Sequence, residues 1–295
     1  MSIKKHILAS GLAALLLLLS SCSSLQISLP AISQENTGRH YNGRVIWHDL
    51  LARDTEAAKK FYGGLFGWEF KEIGLYQGDK HAGSYSLILH EGRAIAGMVD
   101  TTQLRKDVNL AQWVSVFSTA NITAAVSQLK AGGGVVYTEP TTVGERGEIA
   151  VVADTQGGLF ALLQTSQGDP AEQKAPVGAF LWDELWTADT EKAKSFYQAL
   201  FGYDAENTRL ENGETYHYFA SEGQPRAAVQ SNPLQGLAPT WVSFIRVEDP
   251  AAIVAKVAAL GGEVLLDVQQ NPIGGQLAII RDPDGAGFVI QTWDQ

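Results

Sequence analysis

Two short segments carry the residues best suited to chemistry. Trp47 and Asp49 lie two apart in Val45-Ile-Trp-His-Asp-Leu-Leu51, and Trp182 and Glu184 lie two apart in Phe180-Leu-Trp-Asp-Glu-Leu-Trp186. On an extended strand, alternate side chains share a face, so each segment sets an indole beside a carboxylate. Burial beside indoles raises a carboxylate's pKa, which suits a general acid or base. The same pair has a purely structural reading, in which the carboxylate accepts from a nearby indole or amide N–H and completes a core. Downstream, Trp113, Ser115 and Phe117 form one row, and Trp241, Ser243 and Ile245 another. If the rows converge, each of two clefts is lined by two tryptophans, a carboxylate and a serine. Apolar walls with a few polar groups are the make-up of a small-molecule pocket. Alternatively, the indoles only fill space.

Other reactive patterns are missing. No HExxH, GxSxG, P-loop or CxxC pattern occurs. His81, His90 and His217 stand singly, and His48, one residue out of phase with Trp47, points to the opposite face. Lone histidines of this kind are expected at the surface. Gly132–Gly134 and Gly261–Gly262 close helices and cradle no phosphate, because no helix begins after them.

The elements that must position these residues are written twice. Residues 45–68 and 180–203 repeat one pattern at a spacing of 135, with Trp47/Trp182, Asp54/Asp189, Phe61/Phe196, Tyr62/Tyr197, Leu65/Leu200 and Gly67/Gly202 coinciding. Trp113/Trp241 and Asp154/Asp282 follow at a spacing of 128, so the second copy is shorter by seven residues. A repeat this long, with one internal deletion, is a duplicated domain. Within the first copy, Val45–Leu51 reads as a strand and Asp54 as the N-cap of a helix with its apolar stripe at Ala57, Ala58, Phe61 and Leu65. Strands are expected near 68–73, 84–90 and 94–99. The pattern then restarts with a strand at 113–118, a helix at 122–131, and strands near 135–138, 148–153 and 160–164. Each copy is βαβββ written twice. Phe61, Tyr62, Phe66 and their counterparts Phe196, Tyr197 and Phe201 read as core.

The run Asp-(X)6-Phe-Tyr-(X)2-Leu-Phe-Gly-aromatic after a strand, with Asp282-Pro-Asp-Gly285-(X)2-Phe288 near the end, resembles the vicinal oxygen chelate superfamily of glyoxalases, bleomycin-resistance proteins and extradiol dioxygenases. The resemblance spans 43–294. It implies an α+β fold of two tandem domains, 43–167 and 179–295, joined by a linker at 168–178. Each domain would hold eight strands around a cleft, and the two would pack as an internal pseudo-dimer. Enzymes of the family generally hold a divalent metal on four strand positions. Three of these fall here on Trp47, Trp113 and Ala161 in one copy and on Trp182, Trp241 and Val289 in the other. Indole N–H is a donor only and cannot ligate a cation. The expectation is therefore no metal cofactor.

Ahead of the repeats, Lys4 and Lys5 precede an apolar run from Ile7 to Leu19 that is too short to span a bilayer. Leu19-Ser-Ser-Cys22 resembles the lipobox of bacterial lipoproteins. It implies a signal peptide at 1–21, lipidation of Cys22, and a flexible tether at 22–42. Ser23 after the cysteine points to the outer membrane, facing the periplasm. Cys22 is the single cysteine, which excludes an internal disulfide. The net charge is −10, with no basic run, which argues against nucleic acid or anionic lipid surfaces as partners. Three functions follow: a metal-free binder of a small organic molecule, acting as a monomer with an internal pseudo-dimer; a lyase, isomerase or dioxygenase using an unorthodox metal site or Asp49 and Glu184 as acid–base groups; or a scaffold with filled clefts.

Overall fold

The computed structural model describes residues 27–293 apart from 34, 78–79, 103, 105–108, 211–212 and 235. The segment 1–21, expected from its sequence to be a signal peptide, and Cys22 lie outside the described residues. The first half contains β1 (Val45–Ala52), α1 (Thr55–Phe66), β2 (Glu69–Gln77), β3 (Lys80–His90), β4 (Arg93–Asp100), β5 (Gln112–Ser118), α2 (Ile122–Ala131), β6 (Val135–Val136), β7 (Thr141–Thr142), β8 (Gly147–Ala153) and β9 (Leu159–Thr165). The second half contains β10 (Phe180–Thr187), α3 (Thr190–Phe201), β11 (Asp204–Arg209), β12 (Thr215–Ser221), β13 (Gln224–Ser231), β14 (Thr240–Arg246), α4 (Pro250–Val257), β15 (Glu263–Gln270), β16 (Gln276–Arg281) and β17 (Gly287–Gln291). The helices begin and end where the sequence says. Asp54 and Asp189 cap α1 and α3 through Ala57 N and Lys192 N. Gly67 and Gly202 end them at φ 69° and 73°, a left-handed turn that a side chain would strain.

Each half makes its own mixed sheet. The orders are β2-β3-β4-β1-β5-β9-β8-β6, with β7 on β8, and β11-β12-β13-β10-β14-β17-β16-β15. In both, the first strands of the two modules pair antiparallel at the centre, β1 with β5 and β10 with β14. Their outer partners, β4, β9, β13 and β17, run parallel to them. This is the α+β architecture of two tandem, curled units, the first with eight strands in its main path plus β7 at its edge and the second with eight.

The helices do not complete one domain each. One core cluster joins α1 and the backs of β1 and β4 to β16 and β17 of the other sheet. A second joins α2, β8 and β9 to α3, β12 and β13. Both cores therefore run between the domains, and the fronts of the sheets carry separate clusters that line the two clefts. The repeated motif residues fasten these cores. Trp113 Nε1 donates to Tyr62 Oη at 2.9 Å, and Tyr62 donates across the junction to Asp282 Oδ2 at 3.1 Å. Trp241, Tyr197 and Asp154 repeat this at 2.9 and 3.1 Å.

The segment 27–42 departs from the flexible tether expected of it. Leu29 is buried and bridges Gly144, Gly38 N donates to the Gln167 carbonyl, and Tyr41 N donates to Asp169 Oδ2 at 2.7 Å. Its polar composition hid Ile27, Leu29 and Ile32, which pack onto the front cluster of the first sheet.

Candidate functional site

Strand parity sets what each cleft contains. Trp47 stands opposite Val116, and Asp49 opposite Val114; Trp182 stands opposite Phe244, and Glu184 opposite Val242. Residues directly opposite in an antiparallel pair share a face. Trp47, Asp49 and Leu51 thus face one cleft, and Trp182, Glu184 and Trp186 the other, as the sequence pattern predicts. Trp113, Ser115, Trp241 and Ser243 do not. They face the back of the sheet, into the core between the domains, and the clefts receive Val114, Val116, Val242 and Phe244 instead. The reason is visible in the strands: β5 and β14 are buried on both faces, so apolar alternation gives no sign of which face is the front.

A hydroxyl missing from the sequence reading completes both clefts. Tyr85 on β3 and Tyr216 on β12 occupy equivalent places 131 residues apart. In the second cleft, Trp182 Nε1 donates to Tyr216 Oη at 2.9 Å, and Tyr216 donates to Glu184 Oε1 at 2.6 Å. Trp186 Nε1 takes the other oxygen, Oε2, at 2.9 Å. In the first cleft, Trp47 Nε1 donates to Tyr85 Oη at 3.1 Å and to Asp49 Oδ1 at 3.1 Å, and Tyr85 donates to Asp49 Oδ1 at 2.7 Å. A Cβ on Gly97, beside Asp49 on β4, would collide with both the tyrosine hydroxyl and the carboxylate. The repeated tyrosine was the signal in the sequence, masked by the differing strand lengths around it.

The electrostatics follow from burial. Burial pushes the Glu184 carboxyl above its ordinary range, outweighing the bonds from Tyr216 and Trp186 that favour the charged form. Tyr85 and Tyr216 are both held well above the ordinary phenol value, first by burial and then by the neighbouring carboxylate. Both are neutral phenols at any working pH.

The two clefts differ at their mouths. In the first, the buried Arg146 guanidinium stacks 4.7 Å from the Trp47 ring centre and donates from Nη1 to Tyr85 Oη at 2.7 Å. Its Nε reaches the Pro30 carbonyl at 3.2 Å, so the N-terminal segment closes this side. The second cleft has Gly274 at the position equivalent to Arg146. There, Leu181, Trp182, Leu234, Leu265, Leu266 and Leu277 stay partly exposed around the front cluster. Trp182 is partly exposed there, whereas its counterpart Trp47 is buried.

A different group lies on the back faces, where the domains meet. His48, expected at the surface, is buried and meets Asp183 at 3.0 Å. Asp183 Oδ1 also accepts from Ser115 Oγ at 2.6 Å and Ser243 Oγ at 3.1 Å. Positions 48 and 183 are equivalent in the repeat, as are 115 and 243, so the cluster straddles the pseudo-twofold axis. The carboxylate bonds the serines directly, and the histidine does not stand between them as a nucleophile's base must. The serines instead hold the Asp183 carboxylate against the His48 ring.

A family model described as Glyoxalase/Bleomycin resistance protein/Dioxygenase superfamily matches residues 40–162 and 179–290. The chain belongs to that superfamily. A putative glyoxylase, CFP32, of Mycobacterium bovis is 28% identical over 244 residues, which is 83% of this chain and 92% of the relative. The anthracycline biosynthesis protein DnrV of Streptomyces peucetius is 30% identical over 260 residues, 84% of this chain and 92% of that one. In fold, the chain is similar to the Mn(II)-bound glyoxalase of Novosphingobium aromaticivorans, with TM-score 0.58 and 13% identity over 86% of this chain and 83% of that one. It is likewise similar to the 2,2',3-trihydroxybiphenyl 1,2-dioxygenase of Sphingomonas wittichii, with TM-score 0.58 and 14% identity over 86% of this chain and 91% of that one.

The divalent metal common among glyoxalase-superfamily enzymes does not fit these clefts. The cleft-facing positions on the central strands are Trp47, Val114 and Val116 in one and Trp182, Val242 and Phe244 in the other. Ala161 and Val289 belong to the same front clusters. Each cleft offers one carboxylate from its first strand, already bonded to a tyrosine. Among the described residues, no three of His, Cys, Asp and Glu come together as a cation site.

Proposed function

We propose that this superfamily member binds a small, flat organic molecule in its second cleft without a metal. The observation that carries the reading is the repeated Trp–Tyr–carboxylate network, whose Trp47 and Trp182 stand at the first-strand position where the family resemblance expects a metal ligand. In the second cleft, this network sits beside partly exposed Trp182 and leucine side chains. Apolar walls bearing a few fixed polar groups suit a ligand with an aromatic face. The anthracycline biosynthesis relative is compatible with such a ligand class. In titrations with planar aromatic compounds followed by tryptophan fluorescence, binding is expected to persist in EDTA. Replacing Trp182 by Ala should weaken it by about tenfold or more while the fold remains, as loss of an aromatic contact at a binding site does. Equal binding by Trp182→Ala, or binding abolished by EDTA, would sink the reading.

A second reading rests on Glu184. A carboxyl raised by burial and bonded to a phenol is placed to exchange a proton with a bound ligand, as an acid–base group does. It predicts turnover lost in Glu184→Gln with ligand binding retained.

We place the chain on the cell envelope, anchored through lipid on Cys22 and facing the periplasm. No helix among the described residues is long and apolar enough to cross a membrane. More than one acyl chain makes a stable anchor. The Cys22→Ser variant should leave the membrane fraction; a variant that stays bound would contradict the anchor.

A further inference from the structure

Where β1 and β10 meet between the domains, the surface opens into a groove of about 980 Å³. It borders the cleft invoked above and shares Trp182 with it, but Glu184, Trp186 and Tyr216 are not among its walls. Its charge is opposite to that of the chain. Arg44, Arg93, Lys174, Arg226 and Arg246 line it against three carboxylates, Glu35, Glu172 and Asp183, in a chain of net charge −10. Two of those carboxylates are engaged, Glu172 with Arg226 at 3.0 Å and Asp183 with His48, Ser115 and Ser243.

Arg44 is the telling residue. It is 9% exposed, its guanidinium lies 4.5 Å from the Tyr41 ring centre, and Nη2 donates to the Pro170 carbonyl. Its Nη1 is buried and has no hydrogen-bond partner. A buried charged donor without an acceptor is costly, and of the two arginines so placed, Arg44 at Nη1 and Arg146 at Nη2, only Arg44 lines this groove, where an acceptor from outside the chain can reach it. Burial lowers the Arg44 pKa despite the pull of Asp169 and Glu172, so the chain's own anions do not fully offset its desolvation.

The cations are also not a by-product of the duplication. The positions equivalent to Arg44 and Arg246 in the other copy are Ala179 and Ser118. Because Asp49 pairs with Gly97 as Glu184 pairs with Ala228, the equivalent of Arg226 is Ile95. Each arginine thus faces a small or apolar counterpart across the axis. Phe180, Trp182 and Trp293 supply aromatic wall beside them.

We propose that this interdomain groove binds a small aromatic anion, with its acidic group on Arg44 Nη1 and its ring against Trp182 and Trp293. A guanidinium fork matches a carboxylate in shape and charge, and aromatic walls favour a flat frame over a bare inorganic ion.

The test is a titration of the full chain with benzoate at low salt, followed by calorimetry, with benzamide as the neutral isostere. Saturable binding of one benzoate is expected, at least about tenfold tighter than benzamide and about tenfold weaker in Arg44→Gln, the loss of one charge-assisted contact. Arg93→Gln, at an exposed position, should weaken binding with folding intact, and it decides the matter if Arg44→Gln is unstable. Glu184→Gln and Trp186→Phe should bind benzoate as the parent does. The proposal is overturned if benzoate does not saturate, if benzamide binds equally, or if Arg93→Gln and any folded Arg44→Gln match the parent. It is also overturned if Trp186→Phe abolishes binding, because the anion would then occupy the cleft.

Discussion

Glu184 is a carboxylate whose burial shifts its balance toward the neutral form. Tyr216 and Trp186 occupy both oxygens, yet burial still raises its pKa. Two hydrogen bonds to a carboxylate are worth about 1.5–3 kcal/mol each, so desolvation is the larger effect here. The consequence for stability has a definite sign. A carboxyl with a raised folded pKa contributes most below its ordinary value of 4.5 and loses that contribution as pH rises through the raised value. Chemical unfolding of the parent and of Glu184→Gln across that range should therefore show the parent losing stability relative to the variant as pH rises. A parent that gains stability instead would mean that the hydrogen bonds outweigh burial. The pairing of Trp47 with Asp49 was legible in two-residue spacing; Glu184, set beside Trp182 by the same spacing, takes its indole bond from Trp186, while Trp182 donates to Tyr216. Tyr85 and Tyr216 were not legible, because a partner from another strand has no fixed spacing from the residue it bonds.

At the scale of elements, the residues that carry the family likeness also hold the domains together. Tyr62 on α1 links Trp113 on β5 to Asp282, which lies before β17 in the other half; Tyr197 on α3 links Trp241 to Asp154. Tyr62→Phe strands a buried indole N–H and removes one bond to Asp282, and it should cost about 1–3 kcal/mol in denaturant unfolding. Tyr197→Phe should cost a similar amount, and the two should add, since they share no partner. A cost near zero for both would show that packing alone fixes the domains. Helix caps, the repeat and the order of strands could be read from the sequence because each is a local pattern. The facing of β5 could not, since a strand apolar on both sides has no front. The seating of 27–33 was also hidden, because three aliphatic residues among polar ones acquire meaning only against the cleft they cover.

For the whole molecule, duplication has produced two frames with different contents. Both keep a tryptophan, a tyrosine and a carboxylate in register. The first is covered on one side by Arg146 and the segment around Leu29, and the second leaves Trp182 partly exposed. The pseudo-twofold axis is broken as well, with His48 on one side meeting Asp183 on the other. Equivalent places in the two halves therefore hold different side chains and partners. Whether these clefts work without a cation is the question on which the rest depends. The direct measurement is elemental analysis of the purified chain after equilibration with Mn²⁺, Fe²⁺, Ni²⁺ and Zn²⁺ and removal of free metal. We expect a metal content far below one per chain, because a site lacking convergent N and O ligands cannot retain a divalent ion. Retention of about one ion per cleft, lost on replacing Asp49 or Glu184, would contradict the metal-free reading and move the protein to the metal-dependent branch of its family.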